Sequence, residues 1–331
     1  MIYPEFKKFV LEHNIIDSGE TIVVGVSGGV DSMVLLDMFV RLSKSIKFKT
    51  IVAHVNYGLR DRASDSDQSL VEKTCANIGV VCEVLKKTPP AGKNIQNEAR
   101  KIRRDFFEKT AGSFAAQTIA TAHHLNDQAE TFILHLIRGA GIEGLSGILP
   151  VSHLDGIKYI RPLLEISKAN IEEYAHARKI KYNEDSTNRQ RKYLRNSARM
   201  DIIPMLARYN PKIVETLAKT AKRLSRDFGA IEVISRECLN EAVLEKKSSQ
   251  IILSKRVYTQ FPIGIRMHMV QMAFCELTGS KKNLSSDHLS KIDQIATFQA
   301  GKGFYRLPAS CRFERNGDSL RIARCKTSHD R

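Results

Sequence analysis

A short run of small and polar residues early in the chain could bind a phosphate group. Its members are Ser27, Gly28, Gly29, Val30, Asp31 and Ser32, between an apolar run at 22–26 and a helical pattern from 33. Glycine lets a backbone approach a phosphate closely, and the free N–H groups of a helix N-terminus attract anions. Asp31 is the exception, because a carboxylate repels a phosphate unless Mg²⁺ lies between them. The run therefore predicts a phosphate site, with Asp31 as a candidate magnesium ligand.

This run differs from two common phosphate-binding patterns. No Gly-x-x-x-x-Gly-Lys-Ser/Thr sequence occurs in the chain, and the turn lacks the Gly-x-Gly-x-x-Gly of dinucleotide-binding folds. The order of strand, Ser-Gly-Gly-Val-Asp-Ser and helix instead resembles the pyrophosphate loop of ATP pyrophosphatases, which cleave ATP to AMP and pyrophosphate. An ordinary glycine-rich turn between a strand and a helix is the alternative that six residues leave open.

A second group of reactive side chains lies around a helix that is predicted to start near Leu125. Asp127 and Glu130 are three residues apart, so both carboxylates project from one face of this helix. Such a pair can form part of a site for acid–base chemistry. It can equally be a favourable charge pair at a helix N-terminus, worth about 0.3–1 kcal/mol for each residue. His123 and His124 precede the pair, and a metal site formed by these histidines with Asp127 is a further alternative.

Apolar strands alternate with helices through the first two hundred residues. Strands are predicted at 22–26, 50–55, 80–85, 117–122 and from 158, with helices of ten to fifteen residues between them. This alternation is typical of an α/β fold with a doubly wound, mostly parallel sheet. Ligands of such folds bind beyond the carboxyl ends of the strands, where Ser27, His54 and His123 all fall.

The remainder of the chain predicts a long helix and a smaller α+β domain. Residues 212–245 have the spacing of one helix, and two further helices are predicted at 262–278 and 285–298. Short strands follow at 303–307, 310–315 and 319–323, with Asn316-Gly317 as a hairpin turn signal. Pro204 and Pro211 mark the expected boundary. We therefore predict a catalytic domain at 1–210, and a linker helix with a basic substrate domain at 211–331.

The positive charge of the chain is concentrated in its second half. The net charge is +16, and residues 168–331 carry 32 lysines and arginines against 17 acidic residues. A solvated basic surface is the simpler explanation, but the excess begins with a dense run of arginines at 189–199. This asymmetry favours a nucleic-acid partner, with small-molecule chemistry in the nearly neutral first half.

Cysteine usage and hydropathy indicate a cytoplasmic protein. The six cysteines are scattered without a Cys-x-x-Cys motif, which favours reduced thiols over a zinc or iron–sulfur site. The chain contains no apolar run of membrane-spanning length, and its first residues lack the features of a secretory signal. No membrane partner is expected.

Several blocks together resemble the tRNA(Ile)-lysidine synthetase family. In order along the chain, they lie at Ser27–Ser32, His54–Arg60, Arg100–Phe107, His123–Thr131, Arg138–Gly147, Arg161–Leu164 and Asp185–Pro204. The resemblance covers residues 20–205 closely and is looser beyond 212. Tyr57 replaces a histidine of the family pattern, and Tyr182 stands where the family often has tryptophan, which puts local contacts in doubt.

The resemblance implies an ATP-dependent ligase that acts on the wobble cytidine of the isoleucine tRNA with anticodon CAU. ATP would adenylate the cytosine and release pyrophosphate, and free L-lysine would then displace AMP to form lysidine. The implied catalytic residues are Asp31, Arg103, His123, Asp127, Glu130 and Arg195. The implied nucleotide site comprises the Ser27–Ser32 run and His54, with Asp31 on Mg²⁺ or on the incoming lysine. The resemblance also implies that the domain at 211–331 binds the tRNA. A homodimer is one assembly that the resemblance leaves open.

Three other functions fit part of the sequence. A pyrophosphate-loop tRNA thiolase would share the Arg138–Gly147 block, but such enzymes usually carry paired cysteines, which this chain lacks. A metabolic amidotransferase-type ligase would not need the strongly basic second half. An RNA-binding protein with an inactive nucleotide fold would not need intact Ser-Gly-Gly-Val-Asp-Ser and Asp-Gln-Ala-Glu-Thr sequences.

Overall fold

The computed structural model describes residues 2–90, 92, 95–183, 194–298 and 303–325. The start of the Asp185–Pro204 block, with Arg189, Arg191 and Lys192 of the arginine run, lies outside the described residues. The chain forms two compact units, Met1–Ser225 and Arg226–Arg331. Across the described part of the chain, no helix has both the length and the apolar character needed to span a membrane.

A six-stranded sheet forms the centre of the first unit. Its strands are β1 (Thr21–Gly25), β2 (Lys49–Asn56), β3 (Val81–Lys86), β4 (Thr118–Ala120), β5 (Val151–Leu154) and β6 (Ile157–Ile160), in the spatial order β3-β2-β1-β4-β6-β5. All neighbours are parallel except β5, which pairs antiparallel with β6. The prediction of a mostly parallel sheet is confirmed. Strand β5 was not predicted. The turn that joins it to β6 contains Asp155-Gly156, a typical hairpin sequence in which both residues have a positive φ.

Helices cover both faces of this sheet. They are α1 (Tyr3–Glu12), α2 (Val30–Leu42), α3 (Arg62–Ile78), α4 (Ile95–Ser113), α5 (Leu125–Ile137), α6 (Ile142–Leu145), α7 (Lys168–Arg178), α8 (Leu194–Ser197), α9 (Ile203–Ala207) and the start of α10 (Ile213–Ala242). Alternate residues of β1 point to opposite faces. Ile22 and Val24 join the core that contains α1, α2 and α7, whereas Val23 joins the core that contains Phe107 of α4. The sheet is therefore doubly wound, as predicted.

The second unit contains a separate antiparallel sheet. Its strands are β7 (Val243–Lys247), β8 (Gln250–Ser254), β9 (Gly303–Leu307), β10 (Cys311–Asn316) and β11 (Ser319–Arg324), with helices α11 (Lys255–Tyr258), α12 (Ile263–Thr278) and α13 (Ser286–Thr297). The strand order is β7-β8-β11-β10-β9. The α+β character and the hairpin that joins β10 to β11 are confirmed. Strands β7 and β8 and helix α11 were not predicted.

The end of the long helix differs from the prediction. The helix was predicted to reach 245, but it ends at Ala242 and β7 begins at the next residue. Val243 pairs with Leu253 of β8, so strand pairing replaces helical bonding for the last predicted turn. The two compact units divide at 225/226, within α10, whereas the predicted domain boundary lies at 210/211. The assignment of catalysis to the first domain and of substrate binding to the second stays a prediction.

Candidate functional site

The predicted phosphate loop is held in shape by its own two serines. Gly28 has a φ of +90°, a region that side chains other than glycine rarely enter. The Ser32 hydroxyl accepts a hydrogen bond from the Ser27 amide at 3.0 Å and donates one to the Gly29 carbonyl at 3.0 Å. The hydroxyl oxygens of Ser27 and Ser32 lie 3.1 Å apart. Helix α2 begins directly after Gly29, which has no side chain to cap it, so its first turn can receive an anion.

Helix α3 and the residues that follow α7 support this loop from outside. Asp67 of α3 lies directly against Gly28 and accepts hydrogen bonds from the Arg60 guanidinium at 2.6 Å and the Asn183 amide at 2.8 Å. The backbone N–H of Asn183 donates to the Gly28 carbonyl at 3.0 Å. Sequence reasoning missed Asp67 and Asn183, because neither belongs to the loop motif.

Substitution of Gly28 by alanine is expected to destabilise the fold and weaken ATP binding. The new Cβ would lie 3.2 Å from Cβ and 3.4 Å from Cα of Asp67, at a φ that costs an L-residue about 1–2 kcal/mol. Gly19→Ala is the matched control, since Gly19 has a φ of +86° but an added Cβ there would meet no described atom within 4 Å. Urea unfolding and nucleotide titration would measure both effects. Equal behaviour of the two variants would contradict the close contact with Asp67.

His54 lies beside the loop, at the carboxyl end of β2. The ring is buried, and its Nδ1 lies 2.8 Å from the Val26 carbonyl, an acceptor that assigns the proton to Nδ1. Nε2 is buried without a hydrogen-bond partner among the described residues. Burial lowers the pKa of His54 below its ordinary value. The imidazole is therefore neutral at pH 7 and presents an acceptor nitrogen.

The paired carboxylates of α5 are both bound by arginine. Glu130 is 1% exposed and accepts hydrogen bonds from Nε of Arg195 at 2.8 Å and from Nε of Arg199 at 2.6 Å. Asp127 accepts from the Arg195 guanidinium at 2.7 Å and from the His124 backbone N–H at 3.0 Å. Arg195 thus bridges the two carboxylates. Arg199 lies four residues after Arg195, so the helical repeat brings it to the same carboxylate once tertiary packing has placed Arg195 there.

The phosphate loop and the carboxylate pair meet at His124. Its Nε2 lies 3.8 Å from Oδ2 of Asp31 and 3.5 Å from Oδ2 of Asp127. Asp31 is in turn paired with Lys168, the first residue of α7, whose Nζ lies 2.8 and 2.9 Å from the two carboxylate oxygens. Nothing in the loop motif pointed to Lys168. The two sequence-predicted groups therefore form one continuous site at the carboxyl edge of the sheet.

His123 lies in a strongly basic environment. Its Nδ1 is 2.9 Å from the Thr121 hydroxyl. Burial lowers the pKa of His123 to about 4; Asp127 opposes this shift, and Arg161, Arg103 and Arg195 add to it. Arg103 of α4 thus contributes to the electrostatic field at His123, as does Arg195. His123 is neutral at pH 7, and any positive charge at this place comes from the arginines.

Acidification is expected to destabilise the protein through His123. The unfolded chain binds a proton on this residue below its ordinary pKa of 6.5, whereas the folded protein does so only near pH 4. The free energy of unfolding therefore has its full value above pH 6.5. It decreases progressively as the pH falls towards 4, by up to about 3 kcal/mol. Urea unfolding of wild-type protein and His123→Asn between pH 4 and 7 would measure it. A variant that is as pH-sensitive as the wild type would contradict this assignment.

The site offers Mg²⁺ one carboxylate and not a full set of ligands. Among the residues that the structure describes, no group of three or more histidine, cysteine or acidic side chains could hold a metal ion, so His123, His124 and Asp127 do not form the metal cluster considered above. Mg²⁺ is commonly bound by one or two carboxylates together with substrate phosphates and water. Asp31, beside the phosphate loop, fits this role.

Comparison with known proteins decides the family. The family model of the PP-loop domain matches residues 3–206. The chain is 32% identical to the tRNA(Ile)-lysidine synthase of Geobacter sulfurreducens, over 98% of this chain and 69% of that protein. It is 35% identical to the tRNA(Ile)-lysidine synthase of Clostridium acetobutylicum, over 94% of this chain and 68% of that protein. The chain belongs to the tRNA(Ile)-lysidine synthase family.

Members of the tRNA(Ile)-lysidine synthase family are ligases that modify tRNA, and the PP-loop domain implies the use of ATP. Among solved structures, the U34-tRNA thiolase NcsA from Methanococcus maripaludis, with its [4Fe-4S] cluster, superposes with a TM-score of 0.57. The two sequences are 20% identical, and the superposition covers 67% of this chain and 78% of the thiolase chain. At 20% identity, this structural likeness is evidence for a common fold alone.

Proposed function

We propose that this chain uses ATP to adenylate the wobble cytidine of tRNA(Ile) with anticodon CAU and then joins free L-lysine to that base. The observation that carries the proposal is the continuity of the site. The carboxylates of Asp31, on the phosphate loop, and Asp127, on α5, both lie within 4 Å of the His124 ring. A nucleotide and an amine that were bound to these two groups would therefore be close enough to react in turn.

In the first half-reaction, the Ser27–Ser32 loop would bind the phosphates of ATP. Cytosine O2 attacks the α-phosphorus, the bond to the β-phosphate oxygen breaks, and pyrophosphate leaves. Asp31 would hold Mg²⁺, which, when bound, neutralises phosphate charge. His54 would line the nucleotide pocket. Its Nδ1 is bonded to the Val26 carbonyl, which leaves the unprotonated Nε2 as an acceptor for the nucleotide.

In the second half-reaction, Asp127 and Glu130 would receive the ammonium group of lysine. One carboxylate takes a proton, the free amine attacks C2 of the cytosine, and AMP leaves. Both carboxylates are hydrogen-bonded through both oxygens. Asp127 is the more accessible of the two, because 13% of its side chain is exposed against 1% of that of Glu130, which is bound by two guanidinium groups. The incoming ammonium thus competes with guanidinium groups for the same negative charge, and Glu130 keeps Arg195 beside Asp127.

Arg103, His123 and Arg195 would stabilise the negative charge that develops on the phosphate and the cytosine. Guanidinium groups donate strong, charge-assisted hydrogen bonds to such oxygens. The low pKa of His123 leaves its imidazole neutral, so that it acts by hydrogen bonding and adds no charge.

The tRNA would be held mainly by the basic second half of the chain. We assign residues 1–210 to catalysis and 211–331 to a linker helix and tRNA binding, on the strength of the charge excess after residue 167. The wobble base must leave the anticodon stack to reach ATP, at a cost of about a few kcal/mol. Bases of a single-stranded loop are suited to this, since they are readily splayed out.

The experiment that tests this function is the incorporation of labelled lysine into unmodified tRNA(Ile) with anticodon CAU. We expect incorporation that requires ATP and Mg²⁺ and disappears when the wobble cytidine is replaced. Formation of AMP without lysine transfer would contradict the assigned nucleophile and favour sulfur. Binding of tRNA without formation of AMP would instead favour an RNA-binding module.

A further inference from the structure

Lys168 makes a contact that the proposed reaction leaves unused. Its Nζ lies 2.8 Å from Oδ1 and 2.9 Å from Oδ2 of Asp31, so that the ammonium group bridges the carboxylate. Both side chains are about one third exposed, with 33% of Lys168 and 29% of Asp31 accessible. The ion pair is thus open to a ligand that approaches the phosphate loop.

The backbone around Lys168 is anchored to the catalytic helix α5. The N–H of Lys168 donates to Oδ1 of Asn126 at 2.9 Å, and the N–H of Leu125 donates to the Ile166 carbonyl at 2.9 Å. These bonds join the first residue of α7, and Ile166 just before it, to the first residues of α5. The Cα of Lys168 is therefore held at the site, and only its flexible side chain has to move to reach another acceptor.

A phosphate bound in the loop would give the Lys168 side chain an acceptor beyond its two carboxylate partners, Asp31 at 2.8 Å and Glu172 at 3.8 Å. Asp31 is in the first turn of α2, and helical side chains lean towards the N-terminus, which here is the phosphate loop. A triphosphate in the loop would meet the negative charge of Asp31. A lysine ammonium has three donors and no fixed orientation, so it can exchange a carboxylate for a neighbouring phosphate oxygen.

We propose that Lys168 binds the pyrophosphate portion of ATP, and that its ion pair with Asp31 is the nucleotide-free arrangement. The inference rests on the proposed function, because it takes the Ser27–Ser32 loop as the ATP site. On binding of ATP, the ammonium moves from Asp31 to a β- or γ-phosphate oxygen, which leaves the carboxylate available to the accompanying Mg²⁺.

The first test compares nucleotides with and without the pyrophosphate portion. Calorimetric titration of the 331-residue chain would use a non-hydrolysable ATP analogue and AMP. We expect Lys168→Met to weaken binding of the analogue about tenfold to a hundredfold and that of AMP by less than about twofold. Lys168→Arg retains the charge and should bind the analogue within about threefold of wild type. Lys158→Met removes an ion pair with Asp17 that lies away from the loop, and should change neither affinity.

A double-mutant cycle separates a phosphate ligand from a mere partner of Asp31. If Lys168 only neutralised the carboxylate, removal of Asp31 would make Lys168 dispensable for nucleotide binding. We expect the opposite: Asp31→Ala combined with Lys168→Met binds the ATP analogue at least about tenfold more weakly than Asp31→Ala alone. Equal affinities of these two variants, or equal losses for the analogue and AMP, would overturn the inference. Wild-type protein that bound neither nucleotide would overturn the proposed function itself.

Discussion

Replacement of Asp127 by asparagine is expected to reduce lysine transfer by about a hundredfold or more while pyrophosphate release continues. Asparagine retains the shape of the side chain and can still accept the hydrogen bond from the His124 backbone. It cannot neutralise an ammonium group or accept its proton at pH 7. Because Arg195 remains bound to Glu130, the fold around α5 should persist. Parallel assays of labelled lysine in tRNA and of released pyrophosphate would separate the two half-reactions.

The control for this variant is Asp17→Asn, which alters an exposed carboxylate ahead of β1 that pairs with Lys158 at 3.5 Å. It should leave both half-reactions unchanged. Lysine transfer within about threefold of wild type in Asp127→Asn would show that this carboxylate neither binds nor deprotonates lysine. The role would then have to pass to Glu130, which would first have to release Arg195 and Arg199.

Replacement of Asp31 by alanine is expected to abolish the release of pyrophosphate. The substitution removes the carboxylate that we assign to Mg²⁺, and with it the metal's neutralisation of phosphate charge. Affinity for ATP without Mg²⁺ should be unchanged or higher, because a negative charge beside the phosphates is lost and Lys168 loses the nearer of its two carboxylate partners, keeping Glu172 at 3.8 Å. Pyrophosphate release and ATP titrations with and without Mg²⁺ would test both statements.

Asp37→Ala provides a closely matched control on the same helix. Asp37 also lies on α2 and also pairs with α7, through the Tyr174 hydroxyl at 2.7 Å and the Arg178 guanidinium at 3.1 Å. Its loss should lower stability without preventing pyrophosphate release. An unchanged rate of pyrophosphate release in Asp31→Ala would refute the assignment of the loop.

The two chemical motifs could be located from the sequence because each is contiguous. A strand, a glycine turn and a helix N-terminus follow one another at Thr21–Leu42, and backbone geometry alone makes their junction an anion site. Asp127 and Glu130 share a helix face because of the helical repeat. The parallel direction of most strands also followed local rules, since alternating strands and helices favour a parallel sheet. Family membership agrees with these motifs.

The partners of these motifs could not be predicted in the same way. Lys168 is 137 residues from Asp31, and Arg195 is 65 residues from Glu130. No periodicity connects such pairs, because each depends on which strands are neighbours in the sheet and on where the following loops return to it. The short strands β5 and β7 were missed for a related reason, since each has only two apolar residues and is stabilised by pairing with its neighbour. Strand β8 was missed although it contains the apolar run Ile251, Ile252 and Leu253.

The sequence by itself determined which residues are available for chemistry: a candidate phosphate loop, a carboxylate pair and an excess of basic residues in the second half of the chain. Only the tertiary structure decided how the charges are paired, with Lys168 on Asp31, Arg195 across Asp127 and Glu130, and Arg199 on Glu130. The physical reason is the separation along the chain of the residues that form each feature. Turns and helix faces arise from neighbours along the chain, whereas an ion pair forms wherever folding brings opposite charges within a few ångströms.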